Sequence, residues 1–253
     1  MNIKILVAAH KTYWMPEDPV YFPLHVGAEG KADVGYVKDN TGDNISAKNP
    51  NFCELTGLYW AWKNLEADYV GLVHYRRYFT RREVHNIAQK KAEILGKKEW
   101  EKLLSACPVV VADKRKYYIE TNRSHYNHAH PLISLDETER IIREQYPDYS
   151  RAFTTVMERT WAHMFNMFVM SRDLFDAYCR WLFSILFELE KRLDISSFDV
   201  YNARFFGFVS ERLLDVWLKK NKIVYKEQNV SFIEPQNWFR KGGLFLKRKL
   251  FGR

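Results

Sequence analysis

Asp68-Tyr-Val-Gly-Leu-Val-His-Tyr-Arg-Arg-Tyr-Phe79 is the stretch on which the reading of this chain turns. Residues 69–73 form a short apolar run of strand character that feeds directly into His74, Tyr75, Arg76, Arg77 and Tyr78. Open α/β sheets bind ligands just beyond the carboxyl ends of their strands. Two guanidiniums and an imidazole delivered to that edge make an anion site, best matched to phosphate, which a planar guanidinium grips through paired hydrogen bonds. A solvated basic turn is the plainer reading. Against it, Tyr75, Tyr78 and Phe79 are poorly suited to a freely exposed turn, and an arginine held among aromatic rings is packed and aimed.

Working outward, strands and helices alternate. Residues 3–8 read as a first core strand and 33–37 as a short second one, followed by a loop at 38–48 rich in Asn, Asp, Gly and Ser. Asn49 as N-cap with Pro50 at the first helical position predicts a helix to about residue 64, its apolar stripe made by Leu55, Leu58, Tyr59 and Trp62. Residues 81–106 are polar and helical in character, and 108–112 read as a buried strand. A helix over 135–145 stops before Pro147. Residues 163–170 make an apolar strand, after which Ser171 and Asp173 open a long helix to about 192. Ser210 then caps a last helix over 211–220. The pattern predicts an α/β fold: a Rossmann-type nucleotide-binding sheet in one domain over 1–234, with a more helical C-terminal half.

Composition excludes several classes. At 253 residues, 47% hydrophobic and 28% charged, the chain buries a full core and is not of disordered type. Cys53, Cys107 and Cys179 are odd in number and widely spaced, as reduced thiols are and a disulfide framework is not. The apolar start at 1–10 is too short for a secretory signal, and no run approaches the roughly 18 apolar residues of a spanning helix. A cytoplasmic protein is expected. Most of its net charge of +8 sits in residues 238–253, where Arg240, Lys241, Lys247, Arg248, Lys249 and Arg253 interleave with Trp238, Phe239, Leu244, Phe245, Leu246, Leu250 and Phe251. Cations beside apolar rings suit an anionic bilayer surface, so 235–253 is expected to hold the protein at the inner face of the membrane. The alternative from these residues is a non-catalytic membrane-surface or nucleic-acid-binding protein using the same tail.

Two segments carry a family resemblance. Asn44-Ile-Ser-Ala-Lys-Asn-Pro-Asn-Phe-Cys-Glu-Leu-Thr-Gly-Leu-Tyr-Trp-Ala-Trp-Lys63 and the run 68–79 closely resemble a bacterial family of capsular and exopolysaccharide glycosyltransferases long catalogued as a domain of unknown function. Tyr126 and His130, and Arg204-Phe-Phe-Gly-Phe-Val-Ser-Glu-Arg-Leu213 with Leu214, extend the likeness over about residues 3–226. The resemblance implies a GT-A-like transferase that moves a sugar from a nucleotide donor, UDP-hexose being favoured and galactose or galactofuranose the guess, to a lipid-linked glycan of capsule, exopolysaccharide or lipopolysaccharide. Spacing and composition alone support only a phosphate-binding α/β protein.

Such enzymes usually end the strand corresponding to residues 69–73 in Asp-x-Asp, which holds a divalent metal on the diphosphate. Here the place is taken by His74-Tyr75-Arg76, and Asp-x-Asp occurs nowhere in the chain. Arg76 and Arg77 are therefore expected to neutralise the leaving diphosphate directly, with no cofactor, a divalent metal held by dispersed ligands being the less favoured alternative. Attack by an acceptor hydroxyl with inversion needs a general base. Glu211 is that candidate, with His74 and Arg76 beside it in catalysis, although an acid in a helix's first turn is favourable for the dipole alone. Donor contacts are expected from Ala8 and His10 at the end of the first strand, from Lys48 and Asn49 with Glu54 at a helix start, and from Arg76, Arg77 and Arg204. Tyr126, His130 and Asn166 are the acceptor-side candidates, with Trp161 and His163 near them. His125, His128 and His130 are close in sequence but lack a zinc-site pattern, and no metal ligands are assigned.

Overall fold

The computed structural model describes residues 1–234; the expected membrane-surface tail lies outside the described residues. The strands, in chain order, are β1 (Ile3–Ala9), β2 (Tyr21–His25), β3 (Val37–Lys38), β4 (Tyr69–His74), β5 (Arg77–Phe79), β6 (Val109–Ala112), β7 (Arg115–Lys116), β8 (Trp161–Ala162), β9 (Phe168–Ser171), β10 (Lys226–Gln228) and β11 (Val230–Phe232). The main sheet runs β10-β6-β9-β4-β1-β2-β3, parallel throughout except for β9, which is antiparallel to both β4 and β6. β5 folds back on β4 and is continued by β11, while β7 and β8 form a separate ribbon. The expected α/β sheet flanked by helices is what the chain forms.

β1 is apolar almost throughout because both faces of the sheet are covered. Leu6 and Ala8 face the larger core, built with the helices Leu55–Asn64, Leu132–Gln145, Ser150–Glu158, Arg172–Arg192 and Phe205–Lys220. Ile3, Ile5, Val7 and Ala9 face the smaller one, where Trp100 and Leu104 of the helix Lys97–Ala106 pack with Tyr78 and Phe79. Gly71 lets β4 approach its neighbours: a Cβ there would meet Val169 Cγ2 at 2.6 Å and the Phe168 carbonyl at 2.9 Å.

Several local expectations are corrected. The helix at 49–64 is two helices, Asn49–Phe52 and Leu55–Asn64, because Cys53 takes a positive φ of 53° between them. Asn49 does not cap this pair; its Nδ2 donates to the Cys53 carbonyl (2.7 Å) and to Thr56 Oγ1 (3.2 Å) across the break. The second strand lies at Tyr21–His25, not 33–37. The apolar run at 163–170 is a strand only from Phe168, since Phe165 and Asn166 both turn at positive φ. The last helix begins at Phe205, so Ser210 and Glu211 lie in its second turn and the helix dipole does not account for the acid.

Candidate active site at the carboxyl edge of the sheet

Parallel β1, β2 and β4 all end on one edge, and their last residues meet there. β1 delivers Ala8, His10 and Lys11. Ala8 is buried and its carbonyl accepts from the Tyr75 amide at 3.2 Å, so the end of β4 is tied to the end of β1. The His10 ring stands edge-on to Tyr75, with Lys11 Nζ 5.5 Å from the same ring. Partial burial, and then the charges of Lys11, Arg76, Lys31 and Arg204, hold the His10 pKa below its ordinary value. Lys11 and Arg76 both lie over the Tyr75 ring beside His10, at the edge where such folds bind ligands.

Arg76 and Arg77 part company. β4 and β5 form a tight hairpin in which His74 pairs with Arg77, leaving Tyr75 and Arg76 at the tip. Arg76 lies on the exposed side, 4.9 Å over the Tyr75 ring and 3.2 Å from Glu234. Arg77 turns inward between Phe165 (4.5 Å) and Phe232 (4.9 Å). Burial lowers its pKa, and the charges of Glu211 and Glu54 oppose that shift. Arg77 is thus the more buried member of the pair and Arg76 the more accessible one.

The two carboxylates, Glu211 and Glu54, are held by the adjacent residues Phe165 and Asn166. Glu211 Oε1 accepts from the Phe165 amide (2.9 Å) and Oε2 from buried Arg212 (2.7 Å). Burial raises the Glu211 pKa and Glu54 adds to the effect, with Arg212 the largest opposing charge. Glu54 Oε1 accepts from Asn166 Nδ2 at 2.8 Å; the same Nδ2 donates to the Gly207 carbonyl, and Asn166 Oδ1 accepts from Ser210. His74 Nε2 lies 2.7 Å from the Phe165 carbonyl, and since a carbonyl only accepts, Nε2 carries the proton. Burial lowers the His74 pKa, which leaves a neutral ring with Nδ1 as acceptor. Arg204 Nε reaches Cys53 Sγ at 3.1 Å, and burial pushes that thiol up to about 11.

Backbone strain concentrates here. Cys53, Phe165 and Asn166 have φ of 53°, 75° and 54°. Such conformations cost on the order of 1–3 kcal/mol each outside glycine and cluster at functional sites. Each of the three residues touches or adjoins one of the two carboxylates.

Six sequence candidates lie elsewhere or are already engaged. Lys48 Nζ pairs with Glu190 at 2.5 Å, so it does not join the cation cluster; the helix after it, Asn49–Phe52, is a single turn. Asn49 bridges the helix break. Tyr126 is fully buried with its hydroxyl 2.7 Å from Ser134 and its ring under Arg212, which makes it a support of the Glu211–Arg212 pair and not an acceptor contact. His130 stacks on Phe208 at 3.9 Å and on Tyr201. Asn166, expected on the acceptor side, is buried and holds Glu54. His163 is also buried, its Nδ1 2.5 Å from Asp215.

Residues 4–222 match the family model described as a domain of unknown function, DUF4422. The chain belongs to that family. Among curated proteins nothing matches. Among solved structures, this DUF4422 chain is similar to the ligand-free structure of the bifunctional glycosyltransferase WbbM, with a TM-score of 0.85 and 29% identity. The likeness covers 93% of this chain and 46% of that one, so the chain spans about half the length of the protein it matches.

The sequence reading of this DUF4422 chain missed Lys11 and Lys31, and gave Glu54 only a place at a helix start. Lys11 was within reach, since it directly follows His10 at a strand end. Lys31 was not, because its approach depends on the unrecognised β2. Among the described residues no group of three or more His, Cys, Asp or Glu side chains converges as a metal site, and no helix is long and apolar enough to cross a membrane.

Proposed function

We propose that this chain is a glycosyltransferase that binds a nucleotide sugar across the carboxyl edge of β1, β2 and β4 and passes the sugar to a glycan acceptor. The observation that carries this reading is the gathering of Lys11 and Arg76 on the Tyr75 ring beside His10, at the end of β1 and β4, with Arg204 against Cys53 next to Glu54. Likeness to WbbM supports the same class of reaction. The leaving group is a nucleoside diphosphate, and cations fixed where its charge develops stabilise the transition state without reorganising.

The fold class invites a divalent metal on the diphosphate, but the residues present do not fit one. The end of β4 offers His74, Tyr75 and Arg76; His74 spends its Nε2 proton on Phe165, and Arg76 repels a cation. Diphosphate charge is accordingly assigned to Arg76 and Arg204, with Lys11 and Lys31 beside them. His10 and the main chain at Ala8 lie where the rest of the donor would rest. A lipid-linked glycan is the acceptor we favour, because residues 238–253 combine six cations with seven large apolar side chains and suit an anionic membrane surface.

The test is a thermal-shift panel of UDP-, GDP- and TDP-sugars, each with and without EDTA. A ligand at 100 times its Kd stabilises by about 2.7 kcal/mol, which for a chain of this size raises Tm by roughly 5–10 °C. Stabilisation by one nucleotide class that survives EDTA supports the reading. No shift with any nucleotide sugar refutes it and favours the non-catalytic alternative.

A further inference from the structure

We propose that Glu54 takes the proton from the acceptor hydroxyl, with Asn166 and Glu211 as positioning residues beneath it. The proposal rests on the glycosyltransferase reading above and assigns the base within it.

Glu211 is poorly placed to accept a proton. Both of its carboxylate oxygens are held, one by the Phe165 amide and one by Arg212, and it is 9% exposed. Glu54 is partly exposed, on the two-residue link Cys53–Glu54 between two helices. Its Oε1 is fixed by Asn166 Nδ2, and among the described residues Oε2 has no hydrogen-bond partner. The orientation of Asn166 is itself fixed, because its Nδ2 faces the Gly207 carbonyl and its Oδ1 the Ser210 hydroxyl. A carboxylate with one oxygen anchored and one open is what proton abstraction needs.

Glu54 lies among charged and titratable neighbours. Its charge is felt by Arg204, by Arg77, by His74 and by Glu211. Arg204 Nε lies 3.1 Å from Cys53 Sγ, which sets a guanidinium beside the segment that carries Glu54. Cys53, immediately before Glu54, and Asn166, its anchor, both hold positive φ.

In the step this assigns, the acceptor oxygen bonds to the anomeric carbon as its proton moves to Glu54 Oε2. The bond from that carbon to the donor phosphate oxygen breaks, and its electron pair leaves with the nucleoside diphosphate, whose added charge meets Arg76 and Arg204. The configuration at the anomeric carbon inverts.

The experiment compares wild type, Glu54→Gln, Glu54→Asp and Glu211→Gln, using the sugar nucleotide that gives the largest shift in the panel above. Turnover is read as nucleoside diphosphate released with water or an octyl glycoside as acceptor. Glutamine at 54 still offers an oxygen to Asn166, so the fold and donor binding should hold, with Kd within about threefold. General-base loss should lower kcat by about 10²–10⁴-fold and remove the acid limb of the pH–rate profile. Glu54→Asp, which restores the carboxylate, should recover part of kcat, and Glu211→Gln should shift the acid limb while keeping it. Glu54→Gln turning over within tenfold of wild type overturns the assignment to Glu54 while the wider reading stands. A wild type that binds no nucleotide sugar overturns both together.

Discussion

Replacing Arg76 by alanine should loosen nucleotide-sugar binding by about 10- to 150-fold while moving Tm by no more than about 4 °C. The guanidinium is 44% exposed, lies on the Tyr75 ring and has Glu234 at 3.2 Å. An exposed ion pair of this kind contributes about 0.2–1 kcal/mol to stability, and 1 kcal/mol shifts Tm by roughly 2–4 °C in a chain of this length. A charge-assisted hydrogen bond to phosphate is worth about 1.5–3 kcal/mol, and each 1.4 kcal/mol is about tenfold in Kd. The same geometry makes an opposite prediction for its partner. Glu234→Gln frees Arg76 from a competing carboxylate and should tighten binding by up to about fivefold, the equivalent of 1 kcal/mol. Isothermal titration of both variants with the stabilising sugar nucleotide, at low and moderate salt, measures both effects. The Arg76 contribution should shrink as salt screens it. An Arg76→Ala protein that binds like wild type, or a Glu234→Gln protein that binds more weakly, would refute the idea that Arg76 leaves Glu234 for a phosphate.

Asp39→Asn should destabilise the fold by about 2–4 kcal/mol, seen as a fall in Tm of roughly 5–15 °C. The buried carboxylate accepts from the Gly27 and Ala28 amides and from Ser46 and Thr56, so whichever oxygen becomes an amide meets a backbone N–H. A fall below 2 °C by calorimetry would contradict that accounting. His125 stacks on Tyr117 at 4.0 Å, and burial holds its pKa down to about 4, from an ordinary 6.5. The unfolded chain therefore takes up a proton first as pH falls, and stability is lost between about 6.5 and 4. His125→Asn should flatten that acid limb between pH 7.5 and 5; parallel Tm curves for variant and wild type would count against it. Deleting residues 238–253 should weaken binding to anionic vesicles while sparing turnover on a soluble acceptor, and equal vesicle binding by the shortened protein would remove the membrane proposal.

The sequence by itself determined the class of fold and pointed to the sheet edge on which the candidate site lies. β1 and β4 were legible because both faces of each are buried, giving apolar runs that stop abruptly at polar residues, His10 and His74. The helix Arg172–Arg192 was legible for the opposite reason: it is long, periodic and opens at Ser171 and Asp173. β2 was missed because Tyr-Phe-Pro-Leu-His has a proline and no clear alternation, and His25, Asp39 and Lys31 were lost with it. What the tertiary structure alone decided is the direction of each side chain. Adjacent arginines at 76 and 77 read as one basic pair, yet the hairpin sends the first to the surface and the second between Phe165 and Phe232. Glu54 and Glu211 are 157 positions apart, and only the crossing of the helices Asn49–Phe52 and Phe205–Lys220 near Gly207 brings them into one field. A sequence records the residue types that can carry charge. Which of them meet, which are buried, and which oxygen stays open are set by packing between distant segments, and that is where the chemistry of this site is decided.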